Sequence, residues 1–539
     1  MLRIKNFQVA FTDEASLKDL AAKRLRLPPQ AVLEVVIVRK AVDARRYHGA
    51  PVQFVYVLDV CLSVDEQQVM KKMHKDRNVE QILTEPVRSA VRRVLPATAQ
   101  RPVVIGFGPA GMFAALTLAQ AGWQPLVLER GQDVDTRHQD IQRFWQGGAL
   151  DVQSNVQFGE GGAGTFSDGK LTTRINDGHM QDVITAFIKA GAPEEIRYLH
   201  KPHIGTDLLR GVVRNIRQEI IRLGGEVRFG CQVTDLELVQ GAVRSIIVNG
   251  EERIPADAVF LGIGHSARDT YQMLLAKGVA MEAKPFAMGV RIEHPQEFID
   301  RAQYGEDAGD RRLPTADYAL TYQDPVTKRG AYSFCMCPGG QVVAATSLEG
   351  HVCTNGMSNF HRDSGTANGA LLVQVGPADF GHEVLSGMML QDKLEALAFD
   401  LGGRNYFAPV QTVGDFLQGT AGSTQFLTTP TYQPGVKAVD LHHCLPDFMT
   451  RTLAGALPWF DRKIPGFADA GAVMTGIEAR SSAPCRIRRS RETFVAEANP
   501  GLYPMGEGAG YAGGIMSAAV DGMKAALAFL DETVHTIKS

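Results

Sequence analysis

The 539-residue sequence predicts an α/β architecture: a parallel-sheet domain interrupted by an inserted mixed β-sheet domain and preceded by a small α+β unit. Three observations carry this expectation. Residues 103–131 read as strand, glycine turn, helix and second strand. Residues 502–522 repeat a strand, glycine turn and helix at the far end of the chain. Between them, from 286 to about 470, the sequence changes to many short strands and loops with scattered helices. The expected organisation is therefore 1–97, 98–285, 286–470 and 471–539, the last segment returning to the domain that 98–285 begins.

In the first unit, Gly106, Gly108 and Gly111 stand in G-x-G-x-x-G spacing after a buried strand at 103–105. A helix is expected over 112–121, and Glu129 closes a second strand at 124–128. Each part suits a dinucleotide: Gly106 for the turn, Gly108 for close approach of a pyrophosphate, Gly111 for helix–strand contact, Glu129 for a ribose. Pro109, Ala110 and Arg130 belong to the same candidate set, and the first amides of the helix face the phosphates. Residues 102–128 carry no charge, enough for a membrane span on length alone. Three glycines and Pro109 and Pro125 argue against one continuous helix, and a Rossmann-like unit explains the same residues.

Glycine makes up 55 residues, about one in ten, which suits a fold with many turns around a ligand. A net charge of −3 gives no reason to expect nucleic acid or an anionic membrane as a partner. Seven scattered cysteines suit reduced thiols, and the opening residues show no apolar signal core, so a cytoplasmic protein is expected.

Residues 1–97 hold 17 Lys and Arg against 11 Asp and Glu, a unit of about +6 beside a body of −9. Strands are expected at 4–11, 32–38 and 52–62, with a helix capped by Thr12 and ending at Leu25. A connecting helix at 85–94 and a linker at 96–100 follow. The basic face is read either as solvated surface or as a docking module for an acidic partner.

After a polar helix at 133–145, residues 154–171 place five glycines between Gly159 and Gly169. Such a run is not packed core. It brings backbone amides of Gly161, Gly162, Ala163 and Gly164 against a bound group, with Ser167 adding a hydroxyl and Lys170 a charge. A surface loop is the plainer alternative. A helix at 206–223, a strand at 226–229, a hairpin over 232–248 and a buried strand at 258–263 complete the first part of the domain. Gly262, Gly264 and Ala267 form a second possible fingerprint, but the short segment after them leaves no room for a second nucleotide domain.

Residues 330–345 read as two strands around Pro338-Gly339-Gly340. Cys335 and Cys337 stand at i, i+2, so both thiols are expected on one side of the strand. Metal is rejected because further ligands are missing at suitable spacing. Small buried thiols are one reading. The other is a low-pKa thiol that donates a proton beside a redox cofactor, dependent on a nearby cation, or a strained dithiol pair. Arg480, Arg486, Arg488 and Arg489 form a basic cluster, and Arg480, Arg486 and Arg488 would suit a substrate carboxylate or phosphate unless ion pairs with neighbours such as Glu478 and Glu492 occupy them.

The final unit carries Gly506, Glu507, Gly513, Gly514 and Ile515, with a helix running to about Leu530. FAD is long enough to need two such units, one for the ADP half and one for the ribityl chain and ring. Glu507 can accept from ribityl hydroxyls, and the helix after Gly513 can stabilise negative charge on the ring.

With both ends in hand, the chain resembles the two-dinucleotide-binding-domain flavoproteins of the glutathione-reductase superfamily. It is most similar to bacterial uncharacterised FAD-dependent dehydrogenases. The likeness rests on residues 104–111, 154–171, 201–207, 263–269, 334–340 and 506–515 and covers essentially the whole chain. It implies non-covalent FAD with NAD(P)H as a possible transient donor. It also implies hydride exchange through flavin N5 with an unidentified small organic substrate bound under residues 286–470. A flavin monooxygenase is the alternative enzyme, and a flavin-containing binding protein working through its basic N-terminal unit the alternative class. Oligomeric state is not legible in the sequence.

Overall fold

The computed structural model describes residues 1–45, 51–82, 100–173 and 175–538. The expected helix at 85–94 and nearly all of the linker after it lie outside them.

The domain that contains the glycine fingerprint is built on a five-stranded sheet with the order Leu502–Pro504, Val259–Leu261, Val103–Ile105, Leu126–Leu128, Glu226–Arg228. Every neighbouring pair is parallel, so the C-terminal strand joins beside strands from the first half. Period-2 alternation gives the sheet its two faces. Val104, Val127 and Phe260 turn toward the helices Pro109–Gln120, Thr206–Arg222 and Ile515–Lys538. Val103, Ile105, Leu126 and Leu128 turn toward Leu236, Val243 and Ile246 of a three-stranded sheet that covers the other side. The fingerprint helix starts at Pro109 rather than at 112, because proline at N1 lacks only an N–H that would be unpaired anyway. The last helix runs on to Lys538, beyond the expected end.

The inserted domain departs further from expectation. Seven strands form one sheet, in the order Thr321–Gln323, Gly330–Cys337, Thr366–Val375, Phe286–Pro295, Val473–Glu478, Ala408–Thr412, Val436–Ala438. Its central strand Phe286–Pro295 pairs antiparallel with Thr366–Val375 over ten residues, so these strands are long rather than short. The sheet also takes Val473–Glu478, past the expected break at 470. Met288, Val290, Ile292, Leu371 and Val373 pack with residues of two 17-residue helices, Ser386–Gly402 and Asp447–Lys463. The opposite face carries Ala287, Arg291 and Glu293. Gly330–Cys337 and Gly340–Ala344 do not pair with each other: the first joins the large sheet, the second pairs with Thr354–Ser358.

The N-terminal unit is a four-stranded sheet, ordered Val32–Asp43, Gln53–Leu62, Leu2–Ala10, Val79–Gln81. Its first helix is Leu17–Leu25, capped by Ser16, whose Oγ accepts from the Asp19 N–H at 3.1 Å. Thr12 does not cap it, because Asp13 closes a turn by accepting from the Ala15 N–H at 2.9 Å. No helix among the described residues is long and apolar enough to cross a membrane.

Candidate functional site

A long cleft opens where the C-terminal ends of the parallel strands meet the inserted sheet. Gly106 turns the chain out of its strand at φ 87°, and a Cβ there would lie 2.4 Å from the Gly262 carbonyl oxygen. Gly111 lies behind the lining. A Cβ on it would sit 1.9 Å from the Gly106 oxygen, so its missing side chain lets helix and turn touch. Gly108, the N-cap of Pro109–Gln120, offers no side-chain cap, which leaves the first amides of that helix free for an anion.

Glu129 is buried and ties the turns together. Its Oε2 accepts from the Phe107 N–H at 2.7 Å, and its Oε1 from the N–H groups of Gly131 at 3.0 Å and Gly159 at 2.9 Å. Of the four lone-pair sites on a carboxylate, one stays open toward the cleft for a hydroxyl. Arg130 lies over the Phe158 ring at 4.4 Å and bonds Asp269 and Thr270.

The glycine run is largely buried rather than a surface loop. Arg137, fully buried, lies beneath it and donates to the carbonyls of Asn155 (2.8 Å), Val156 (2.9 Å), Glu160 (2.7 Å) and Gly162 (3.0 Å). Burial pushes its pKa down to about 10, against the charges of Glu129 and Glu160, so it stays cationic at neutral pH. Carbonyls held inward in this way leave Gly162, Ala163 and Gly164 lining the cleft. Gly161, expected beside them, does not line the cleft: its N–H is held behind the wall by the Phe107 carbonyl at 2.9 Å. Ser167 donates to the Gly164 carbonyl at 2.6 Å, and Lys170 to that of Met336.

From the far end of the chain come Glu507, Gly513, Gly514 and Ile515, at the open N-terminus of the last helix. Gly506 stays behind, packed on Ala110. Burial pushes Glu507 up to about 7, opposed by the charge of Lys284. Residues 262–266 form another wall of this same cleft. The strand after the helix Arg268–Ala276, Met281–Ala283, pairs with Cys485–Ile487 and starts no second nucleotide domain. His265 in that wall meets the Ser266 hydroxyl at 2.9 Å. Burial first, then Arg480 and Arg268, push it down to about 3, so its imidazole is neutral.

The inserted sheet supplies the opposite wall through Phe334, Cys335, Asn355, Glu478, Arg480 and Ser481. Cys335 and Cys337 do not share a side. The register slips between Phe334 and Cys337, and Cys335 sits at φ 39°, which breaks the alternation. Cys335 therefore lines the cleft while Cys337 is fully buried behind it. Beneath the bulge is Arg291, also fully buried. It forms a fork with Glu478 and donates to the Cys335 carbonyl (2.9 Å), Asn368 (3.0 Å) and Asn355 (3.1 Å). The bond from the Cys337 thiol draws Cys335 below the ordinary thiol range. Burial opposes that shift, and Arg291 and Lys170 reinforce it, while Asp168 acts the other way. Cys337, its partner, is pushed up.

Of the four arginines in that cluster only Arg480 reaches the cleft, and Arg489 is taken up by Asp521 at 2.6 and 3.0 Å. Arg480 is locked by two bonds to Glu395, at 2.8 and 2.6 Å, and one to Ser347 at 2.5 Å. Arg486 pairs with Glu282 at 3.1 Å and Arg488 with Glu497 at 2.8 Å on the surface, where strand alternation points them away from the cleft. Sequence reasoning missed Arg291 and Glu478. Their signal was a charge within an otherwise apolar strand, which a buried strand tolerates only when it is paired.

The uncapped helix N-termini, the side-chain-free backbone walls and the spare lone pair on Glu129 together fit a dinucleotide with a second, ring-bearing half. Comparison with known proteins agrees. Residues 285–481 match the family described as FAD-dependent protein, C-terminal domain-like. Residues 101–226 match an FAD binding domain, and residues 1–61 a domain of unknown function. An uncharacterized protein of Clostridium beijerinckii is 49% identical over 529 residues, 97% of this chain and 98% of that protein. Among solved structures, glycine oxidase from Bacillus cereus gives a TM-score of 0.35 at 9% identity over 80% of this chain and 95% of its own. The halogenase PltM in complex with phloroglucinol and FAD gives 0.38 at 10% identity over 81% of this chain and 70% of its own. The family matches make this an FAD-binding protein.

Proposed function

This chain belongs to one family with the uncharacterized Clostridium protein and carries the FAD-dependent protein C-terminal domain, and on that premise we propose a dehydrogenase in which the Cys335 thiolate accepts a substrate proton. When bound, FAD supplies a two-electron acceptor for hydride. The observation that carries the reading is Cys335 itself: a cleft-facing thiol, drawn toward its ionised form, on a bulge fixed by a buried guanidinium.

An ionised thiol at neutral pH is a base, which favours oxidation of the substrate over reduction. In an alcohol or amine, the heteroatom proton passes to Cys335 Sγ while the adjacent carbon gives up hydride, leaving a carbonyl or imine. Phe334, 40% exposed at the same wall, offers the substrate an apolar surface and displaces water from the thiol. Arg480 is immobilised by Glu395 and presents a fixed positive edge rather than a mobile clamp. The amides after Gly108, Gly162–Gly164 and Glu129 would hold one half of FAD, and Glu507 and Gly513–Ile515 the other. A nicotinamide donor, if used, enters the same cleft, since 262–266 belongs to its wall.

The test is anaerobic mixing of the FAD-loaded protein with panels of alcohols and amines, following loss of visible flavin absorption. For any compound that bleaches the flavin, Cys335→Ser is expected to slow bleaching ~100-fold or more, the scale of general-base catalysis, with FAD content unchanged. Bleaching at the wild-type rate in that variant removes Cys335 from the chemistry. Reoxidation by oxygen that hydroxylates the compound would instead mark a monooxygenase.

A further inference from the structure

We infer that the N-terminal unit works in cis as a clamp that seats the Cys335–Cys337 bulge against the cofactor cleft. The inference rests on the reading of Cys335 given above for its catalytic meaning, but not for its geometry.

A bulge that breaks strand alternation sends successive side chains to different surroundings. Cys335 faces the cleft. Met336, the next residue, is 3% exposed and belongs to one apolar cluster with Leu2, Ile4 and Phe7 of the N-terminal sheet and Ile299 and Ala367 of the insertion. The side chain that anchors the bulge is thus buried in a cluster shared between the inserted domain and the N-terminal unit.

The unit is also tied to the nucleotide-binding domain, and the tie leads back to the same residue. The Lys40 N–H donates to the Tyr198 carbonyl at 2.8 Å, and the His200 N–H to the Lys40 carbonyl at 2.8 Å. Two residues further, the Pro202 carbonyl accepts from the Leu171 N–H at 2.9 Å, and Lys170 bridges to His203. Lys170 lines the cleft and donates its ammonium to the Met336 carbonyl. The contacts close a ring: N-terminal sheet, residues 198–203, Lys170, Met336, N-terminal sheet. Main chain and side chain of Met336 are both held by it, and Cys335 is left no freedom to swing from the cleft.

The charges of the unit agree with this role better than with docking an acidic partner. Arg3 pairs with Asp59 at 2.7 Å, Lys5 with Glu80 at 2.6 Å and Arg24 with Asp76 at 2.5 Å, so the basic groups are interleaved with acids.

The test is amide hydrogen exchange on the full-length, FAD-loaded protein, comparing peptides covering 331–340 with those covering 366–375 on the adjacent strand. Met336→Ala removes the anchor, and Met336→Leu keeps its bulk. Ile4→Ser weakens the N-terminal core without touching the cleft. The clamp predicts exchange at 331–340 at least tenfold faster in Met336→Ala and Ile4→Ser, near the wild-type rate in Met336→Leu, and 366–375 unchanged. Wild-type exchange at 331–340 in Met336→Ala overturns the inference. So does Ile4→Ser if the N-terminal amides exchange faster while the bulge does not. Should Met336→Ala fail to retain FAD, Ile4→Ser decides alone. If exchange rises as predicted but Cys335→Ser turns over normally, the clamp stands and the catalytic role of Cys335 falls.

Discussion

The two walls of the cleft are made of different materials. The nucleotide-binding wall is backbone: glycine turns, two helix N-termini and carbonyls gathered by Arg137, with Glu129 mostly spent on amides. The inserted wall is side chain, held by buried charge pairs, Arg291 with Glu478 and Arg480 with Glu395, and exposing a thiol and an aromatic ring. A backbone wall binds what all dinucleotides share and tolerates no extra atoms. A side-chain wall can be changed residue by residue, and its cost lies in keeping every buried charge paired.

That contrast can be broken most severely on the inserted side. Arg291→Met leaves Glu478 buried without its cation and is expected to cost ~3–5 kcal/mol, read by chemical denaturation of the FAD-loaded protein. Replacing both, Arg291→Met with Glu478→Leu, should recover most of the loss. If the single variant costs less than ~1 kcal/mol, the wall does not depend on charge pairing.

On the backbone wall the sensitive feature is volume. Gly111→Ala puts a methyl 1.9 Å from the Gly106 oxygen, backbone against backbone, and should cost at the upper end of ~1–3 kcal/mol with loss of bound FAD. Gly513→Ala, whose methyl meets nothing within 4 Å, should fold normally. Equal FAD loss in both would mean that the turn geometry is not what binds.

A smaller effect sharpens the comparison through pH. Glu293, on the cleft-side face of the central strand, is fully buried and pushed up to about 7 by burial, against the bonds from Thr431 at 2.5 and 3.1 Å. Its folded pKa lies above the unfolded one, so the native state binds the extra proton. Its contribution is complete below about pH 4.3, the unfolded value, and is lost as pH rises through 7. The stability of wild type relative to Glu293→Gln should therefore fall between about pH 5 and about pH 7 with a slope approaching ~1.4 kcal/mol per pH unit and level off above that, a difference free of the parallel dependence from Glu507 and the opposite one from His265. An unchanged slope in that variant assigns the dependence elsewhere. The smallest effect belongs to the surface: Arg486→Ala should change stability by less than ~0.5 kcal/mol and leave FAD binding intact.

The same division explains what the sequence made legible. Gly106, Gly108, Gly111 and Glu129 work through spacing along one strand–turn–helix unit, so a local pattern reveals them. The companion glycines 513 and 514 do so too, because a helix start is also local. The inserted wall is assembled from strands far apart in the chain, 291 ion-paired with 478 and 337 beside 368, and no local pattern encodes those pairings. The expected sharing of a face by Cys335 and Cys337 failed for a related reason: alternation assumes a regular strand, and the register slips between Phe334 and Cys337 where the strand meets its distant partner. Arg486 and Arg488 looked like a site because their acidic partners, Glu282 and Glu497, are set by tertiary pairing.

The central claim is that Cys335 faces the FAD cleft as a thiolate. It is tested most directly by the pH dependence of Cys335 alkylation with iodoacetamide in the FAD-loaded protein, with the modified peptide identified by mass spectrometry. The account predicts a rate that is already at its plateau by neutral pH, with a midpoint well below the ordinary thiol value of ~8.5, and no labelling of Cys337. A midpoint at or above ~8.5, or labelling of Cys337 in preference to Cys335, would contradict it.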